Sequence, residues 1–306
     1  MPSVSSLEQA STILAAAHAD GGRIRIGDDL TTEGLDRILE HEKGDLTCTV
    51  EAGVRLSTLN ATLGRSGQRL SLDPPGDPTI GSLLARNLSG PLRHRFGAPR
   101  DLVLGVTVVL ADGTVANAGG KVVKNVAGYD LARLVCGSRG RMALIARASF
   151  RLHPVPKAAR SLVVETNDAS SVVALLLRSQ LQPSALDVLH PGRVAVLFEG
   201  SQRAVEAQLE SAFALVGGSE SDSGVWDEAR SRQADARGRV RFAPGELAET
   251  LSQLSEGVVR PAAGLAYTRE EQPSGSEPQS RETSDEVREL ARRIERELDP
   301  RGVLAG

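Results

Sequence analysis

The residues best suited to chemistry lie between positions 72 and 145. Pro74-Pro75 stiffens an extended entry, because proline fixes φ. Thr79-Ile80-Gly81-Ser82 then opens a short helix, SLLARNLSG. Small residues at a helix start allow close backbone approach, and free N–H groups there suit an anion such as a pyrophosphate. A Pro-bounded turn whose glycine permits its geometry is the plainer alternative. Arg93, His94, Arg95 and Arg100 cluster next, able to hold an acidic ligand or partner subunit, or to form a solvated basic loop. Gly119, Gly120, Gly128, Gly137 and Gly140 follow. Glycine at that density does not belong to an ordinary helix or strand; it implies backbone folded closely around something flat or charged.

Other reactive side chains point to structure. Cys48 alternates with Leu46 and Val50 on a strand, as a buried, inert thiol does. Cys48 and Cys136 are the two cysteines of the chain, which excludes a disulfide scaffold and any Cys-rich zinc or iron–sulfur site. No metal site is expected. His190, in LDVLHPGRV, has no second histidine near it and reads as structural or exposed. His153 reads as a domain-junction packing residue, and His18 and His41 as surface helix residues.

The elements that position these residues follow from periodicity. Ser5-x-x-Glu8 has the form of a capping box, followed by a stripe of Leu7, Ala10, Leu14 and Ala17 that Gly21-Gly22 ends. Residues 23–26 alternate as a strand, 32–41 fit a short helix or turn, and 46–50 form a strand. Leu56, Leu59 and Leu63 stripe a helix. Asp112-Gly113 joins strands 102–110 and 114–117, a strong hairpin signal. A helix is expected at 129–135. Strand 142–152 places Leu144, Ala146, Ala148, Phe150 and Leu152 on one face. Pro154-Val155-Pro156 marks a boundary. Beyond it the spacing predicts strand 161–166, helix 168–180, strands 185–190 and 194–199, helix 201–216, a helix near Trp226 and strand 239–242. Without the extra helix this is the ferredoxin-like β-α-β-β-α-β pattern. Helix 244–254 and strand 264–268 follow. Residues 270–283, polar and rich in Pro, Gly and Ser, read as a mobile linker before a last helix at 284–298.

Composition narrows the function classes. The chain has 306 residues, 40% hydrophobic and 25% charged, enough for two domains or one large one. A net charge of −3 argues against general binding of nucleic acid. Aromatics at 3% argue against base-stacking platforms. The N-terminus lacks a basic region followed by an apolar run, and no stretch is apolar and long enough for a transmembrane segment. The expected location is cytoplasmic, or peripheral to the inner face of the membrane through a complex.

KNVAGYDLARLVCGSRGRMALI together with DPPGDPTIGSLLARNLSGPLRHRFGAPRDLVLG resembles the FAD-binding domain of the vanillyl-alcohol oxidase / p-cresol methylhydroxylase (PCMH) type. Within it, the likeness is to the FAD-binding subunits of the glycolate oxidase kind. It covers about residues 44–157 and returns weakly at ALDVLHPGRVAVLFEGSQRAVEAQ and IERELDPRGVLAG. The resemblance implies an α+β fold: a two-lobed PCMH-type FAD-binding domain over 1–156, a ferredoxin-like cap over 157–269, a linker over 270–283, and a C-terminal helix over 284–306 packing back on the FAD domain. It implies that Pro75, Thr79, Ile80, Gly81 and Ser82 meet the cofactor, and that Asn87, Ser89 and Gly90 line the flavin side. Asn125, Gly128, Tyr129 and Asp130 then lie beside flavin and cap, and Gly137, Ser138, Gly140 and Ile145 approach the adenosine. Lys124 and Tyr129 are the best-placed catalytic groups, with hydrogen bonding around the glycine turn as their alternative role.

The activity so implied is oxidation of a small 2-hydroxy acid through flavin N5, with electrons passing to a partner flavoprotein or iron–sulfur subunit. Two alternatives stand beside it: a non-catalytic assembly subunit that has lost tight FAD binding, and an independent small-molecule binding module. The chain departs from the family at Arg139, Arg141 and Ala143, where small or apolar residues are favoured. It departs more upstream. The family's glycine-rich pyrophosphate loop is shortened here to Gly27-Asp28-Asp29-Leu30. That leaves fewer N–H donors and two negative charges beside a dianion. FAD is therefore expected to be non-covalent and weakly held.

Overall fold

A computed structural model describes residues 2–120, 131–270 and 285–304. One sheet holds β1 (Ile38–Glu42), β2 (Thr47–Glu51), β3 (Val103–Val109), β4 (Val115–Gly119) and β5 (Leu144–Arg151). Its order is β1-β2-β5-β3-β4, and every pairing is antiparallel. Both faces are covered. Val50, Val106, Val108, Ala148 and Phe150 pack against α2 (Leu56–Gly64) and α3 (Ile80–Ala85) through Leu59, Leu63, Ile80 and Leu84. On the other face Val109, Leu144 and Ala146 meet Ala10 and Leu14 of α1 (Leu7–Asp20).

Three local expectations are corrected. The cap of α1 is shifted by one residue: Ser6 Oγ accepts the Gln9 N–H at 3.1 Å, and Gln9 Oε1 accepts the Ser5 N–H at 2.8 Å. Residues 38–42 are strand β1, not helix, because they form a hairpin with β2. Arg23–Ile26 makes only isolated bridges, Ile24 with Leu304 and Ile26 with Leu30, because the chain turns back at once. The apolar positions of β5 also divide between two faces. Thr107 pairs with Arg147 but Val108 with Ile145, and this bulge flips the alternation. Leu144 and Ala146 therefore face α1, whereas Ala148 and Phe150 face α2 and α3.

The second sheet holds β6 (Ala158–Glu165), β7 (Ala185–His190), β8 (Arg193–Gly200), β9 (Ser219–Ser221), β10 (Gly238–Arg241), β11 (Gly257–Arg260) and β12 (Leu265–Thr268). Its order is β9-β6-β8-β7-β11-β12-β10. Helices α6 (Ala169–Arg178) and α7 (Gln202–Val216) cover one face. Asp168 and Ser201 cap them by accepting the Ser171 and Ala204 N–H groups. The segment β6-α6-β7-β8-α7-β9 has the ferredoxin-like strand order, fourth–first–third–second. Its fourth strand is thus β9, not residues 239–242; β10 sits at the opposite edge, beyond β11 and β12.

On the open face lies α8 (Gly224–Ala234), whose Val225 and Trp226 meet Ala185, Leu189 and Ala195. Arg69, in a separate two-stranded ladder with His153, is tied to β8 by a bidentate pair, its Nη1 and Nη2 donating to the Glu199 carboxylate at 2.9 and 2.7 Å. A last helix, α9 (Asp285–Leu298), leads to Val303 and Leu304, which join the α1 cluster. Apart from Glu270, the expected linker lies outside the described residues. Among the described residues no helix is long and apolar enough to cross a membrane.

Phe150 is fully buried at the centre of the first sheet. Phe150→Ala is expected to cost about 3–5 kcal/mol, read as a lower midpoint in urea unfolding followed by circular dichroism.

Candidate functional site

The distant glycine segments meet. Gly137 N–H donates to Leu84 O at 3.0 Å and Arg139 N–H to Ala85 O at 2.8 Å, so turn 137–140 lies along α3. Asn87, Gly137, Arg139 and Gly140 all take positive φ, at 48°, 87°, 55° and 81°. A Cβ on Gly140 would fall 2.8 Å from Ile26 Cβ. The same turn therefore sits on the residue that opens the shortened segment, Gly27–Leu30.

The backbone donors of this junction are already used. Ile80, Gly81 and Ser82 N–H donate to Val54 O, Ala52 O and Thr79 Oγ1 at 2.9, 2.7 and 3.3 Å. Asp28, Asp29 and Leu30 N–H all converge on Arg25 O, at 3.2, 2.8 and 3.3 Å, and Gly27 N–H donates to Leu30 O. The free N–H groups expected at the helix start are thus satisfied within the chain. Asp29, though exposed, is held by its own segment. It accepts the Arg25 N–H at 2.9 Å and Arg25 Nε and Nη2 at 3.1 and 3.2 Å, and these bonds hold its carboxyl below the ordinary range. Gly81 and Gly90 are explained by close packing: a Cβ would crowd Ala52 at the first and overlap the Asp73 carbonyl at the second. An amide cradle for a diphosphate does not fit these segments. Ser138 fits a ligand better, since its hydroxyl is buried and finds no partner.

The other expected cofactor residues divide by role. Pro75 is half-buried, and Thr79 caps α3. Ile80 and Ile145 are core residues, 0% and 4% exposed, so their side chains offer a ligand no surface. Asn87 Oδ1 accepts the Arg100 N–H at 3.3 Å. Ser89 is buried; its hydroxyl accepts Arg93 Nη1 at 3.1 Å and its carbonyl accepts Gln233 Nε2 at 2.9 Å. Lys124, Asn125, Gly128, Tyr129 and Asp130 lie outside the described residues.

That last bond to Ser89 begins a polar seam that runs into the second sheet. Gln233 Oε1 accepts Arg260 Nη2 at 2.8 Å, and Arg260 Nε lies 3.4 Å from Asp187 Oδ2, the two side chains 3% and 0% exposed. Arg260 Nη1 and both Asp187 oxygens have no hydrogen-bond partner. Burial pushes the Asp187 carboxyl up, against the pull of Arg260. The Arg260 guanidinium stands 5.1 Å from the Tyr267 ring, and the exposed Arg239 stands 5.9 Å from the same ring. Burial lowers the pKa of half-buried Arg93, and the charges of Arg239 and Arg260 push the same way. Arginines thus line this seam from floor to rim. Buried polar atoms without partners are costly, so their gathering here singles this seam out as the candidate site.

Of these groups the spacing of the sequence marked only Arg93. The signal for Asp187 and Arg260 was a lone charge inside an apolar strand, ALDVLH and GVVR. The histidines lie elsewhere. His190 Nε2 is 3.0 Å from Leu254 O. His41 is on β1, not a helix, with Nε2 2.8 Å from Gln68 Oε1. His153 packs on Phe96, ring centroids 4.6 Å apart, and burial beside Arg151, Arg69 and Arg95 pushes it down to about 4. Cys48 is an inert buried thiol, pushed up to about 12 by burial.

Residues 25–119 match the family described as FAD binding domain. Glycolate oxidase subunit GlcE of Escherichia coli K12 is 33% identical over 219 residues, 69% of this chain and 61% of that protein. Glycolate oxidase subunit GlcD of Bacillus subtilis 168 is 33% identical over 172 residues, 53% of this chain and 36% of that protein. D-lactate dehydrogenase [cytochrome] 1, mitochondrial, of Saccharomyces cerevisiae S288c is 29% identical over 202 residues, 63% of this chain and 34% of that protein. The chain therefore spans between about a third and three fifths of these relatives. A solved alkyldihydroxyacetonephosphate synthase superposes with a TM-score of 0.72 over 99% of this chain and 74% of that one, at 15% identity; this shows the fold.

Burial at the seam also gives a pH effect. Asp73, which accepts the Leu92 N–H at 3.0 Å, is pushed up from 3.8 to about 7 by burial, against Leu92, Arg260 and Arg230. A carboxyl raised on folding stabilises most below its unfolded pKa, and that stability is lost as pH rises through the folded value. Asp73→Asn is expected to gain stability over the parent at pH 8 relative to pH 5, measured by urea unfolding. An equal difference at both pH values would contradict the burial effect.

Proposed function

We propose that the chain, whose residues 25–119 match the family described as FAD binding domain, is an FAD-linked oxidoreductase subunit acting on a small 2-hydroxy acid within a multi-subunit complex. The observation that carries this reading is Arg260, buried with Nη1 free of hydrogen bonds, Nε loosely paired with Asp187, and linked through Gln233 to Ser89. A guanidinium is suited to a carboxylate, which it can grip by two parallel bonds. Arg260 holds the carboxylate of the acid, Asp187 and Gln233 fix its direction, and Arg93 and Arg239 draw the anion in. Ser89, whose carbonyl accepts Gln233, sets the distance from this arginine to the flavin side. When bound, FAD supplies the acceptor for the hydride leaving the hydroxyl-bearing carbon. Lys124 as the free amine, or Tyr129 as the phenolate, takes the hydroxyl proton.

The relatives' names support the substrate class, since glycolate and D-lactate are both small 2-hydroxy acids. In this proposal a partner flavoprotein and iron–sulfur subunits receive the electrons, and the complex lies in the cytoplasm or against the inner face of the membrane. The satisfied amides at 27–30 and 80–82 favour a second reading, an assembly subunit that holds FAD weakly.

The test is anaerobic addition of glycolate or D-lactate to the chain reconstituted with FAD. Bleaching of the flavin absorption supports the first reading; a flavin that binds but never bleaches supports the second. Arg93→Gln is expected to raise the substrate KM several-fold, because a charge that draws the anion toward the site is lost. An unchanged KM removes Arg93 from the anion site.

A further inference from the structure

A second cluster of guanidinium groups lies at the other end of the glycine junction. Arg141, Arg292 and Arg296 line a cavity of about 500 Å³, together with Glu295, Asp299 and Leu304. The backbone of Leu304 bridges to Ile24, and turn 137–140 rests on Ile26. Through Leu304 and Arg141 the cavity thus neighbours the bridged segment that leads into Gly27–Leu30, where the Asp28, Asp29 and Leu30 amides are turned onto Arg25 O and the Gly27 amide onto Leu30 O.

From this juxtaposition we infer that the cavity is a diphosphate site, in which guanidinium groups do the work that backbone amides cannot do here. Resting on the FAD reading above, the inference assigns the ligand as the diphosphate of the dinucleotide. Arg292 and Arg296 are four residues apart on α9, so they project from one face of the helix. Both are exposed, and neither forms an ion pair among the described residues. Arg141 stands across from them, where its Nη2 is 3.6 Å from Glu295 Oε1. Planar guanidinium forks suit phosphate oxygens, and a cavity of this size lies within the range of small-molecule sites.

The carboxylates in the cavity sharpen the inference. Asp299 is taken by the Val303 and Leu304 N–H groups at 2.9 and 2.7 Å, so its charge is met by amides. Glu289 also lines the cavity. Glu295 competes with a phosphate for Arg141, so removing its charge must help an anion bind. That sign distinguishes a phosphate site from an ordinary salt-bridged surface, where Glu295 would matter only to stability.

The experiment is calorimetric titration of the full chain with inorganic pyrophosphate, ADP, FAD and FMN. The parent is expected to bind pyrophosphate and ADP, with affinity falling as salt rises. The double variant Arg292→Ala/Arg296→Ala is expected to lose at least tenfold in affinity for pyrophosphate, ADP and FAD, with FMN unaffected because it lacks a diphosphate. Glu295→Gln is expected to tighten all three. Circular dichroism checks that both variants fold. Unchanged FAD affinity in the folded double variant, or weaker binding in Glu295→Gln, overturns the diphosphate site and leaves the FAD reading standing. A parent chain that binds pyrophosphate but not FAD overturns the FAD reading instead. A parent that binds neither overturns both.

Discussion

Two backbone hydrogen bonds govern this molecule: Gly137 to Leu84 and Arg139 to Ala85. They join a turn to a helix some fifty positions away in the chain, and they hold that turn in left-handed geometry that glycine adopts freely and other residues resist. Everything around the junction follows from them. Gly140 is pressed onto Ile26, and the chain after Ile26 reverses within four residues. The cost is that the junction uses its own N–H groups. A cradle of free amides and a closely packed glycine turn compete for the same atoms, and here the packing has taken them.

The second sheet supplies what the junction lacks, namely unsatisfied charge. Arg260 and Asp187 are buried and paired only loosely, at 3.4 Å. A buried pair with imperfect geometry is a poor source of stability, because desolvation offsets the attraction between the charges. Its position, joined through Gln233 to the carbonyl of Ser89, couples the segment after α3 to the open face of the second sheet. The same hydrogen-bonded chain therefore fixes the orientation of the arginine and the distance between the layers.

Much of the scaffold was legible in the sequence. Asp112-Gly113 announced its hairpin, and the stripes of α1, α2 and α7 announced helices, because these signals are local. The failures were also physical. The three residues of β9, Ser-Glu-Ser, carry no apolar period and become a strand only by pairing with β6. The bulge in β5 reverses a face without leaving a mark in composition. Gly81 and Gly90 were read as facing a ligand, yet they admit Ala52 and Asp73; a glycine shows that something comes close, not what it is. Asp187, Gln233, Arg260 and Tyr267 come from separate elements, so no spacing along the chain unites them.

The account stands on a single site shared by helix α3, turn 137–141 and the open face of the second sheet. Hydrogen–deuterium exchange of the full chain with and without saturating FAD tests this most directly. Slower exchange is expected together at residues 83–93, 137–141 and 257–260 when FAD is present. Protection confined to one of these segments, or spread elsewhere while all three exchange as before, would contradict it.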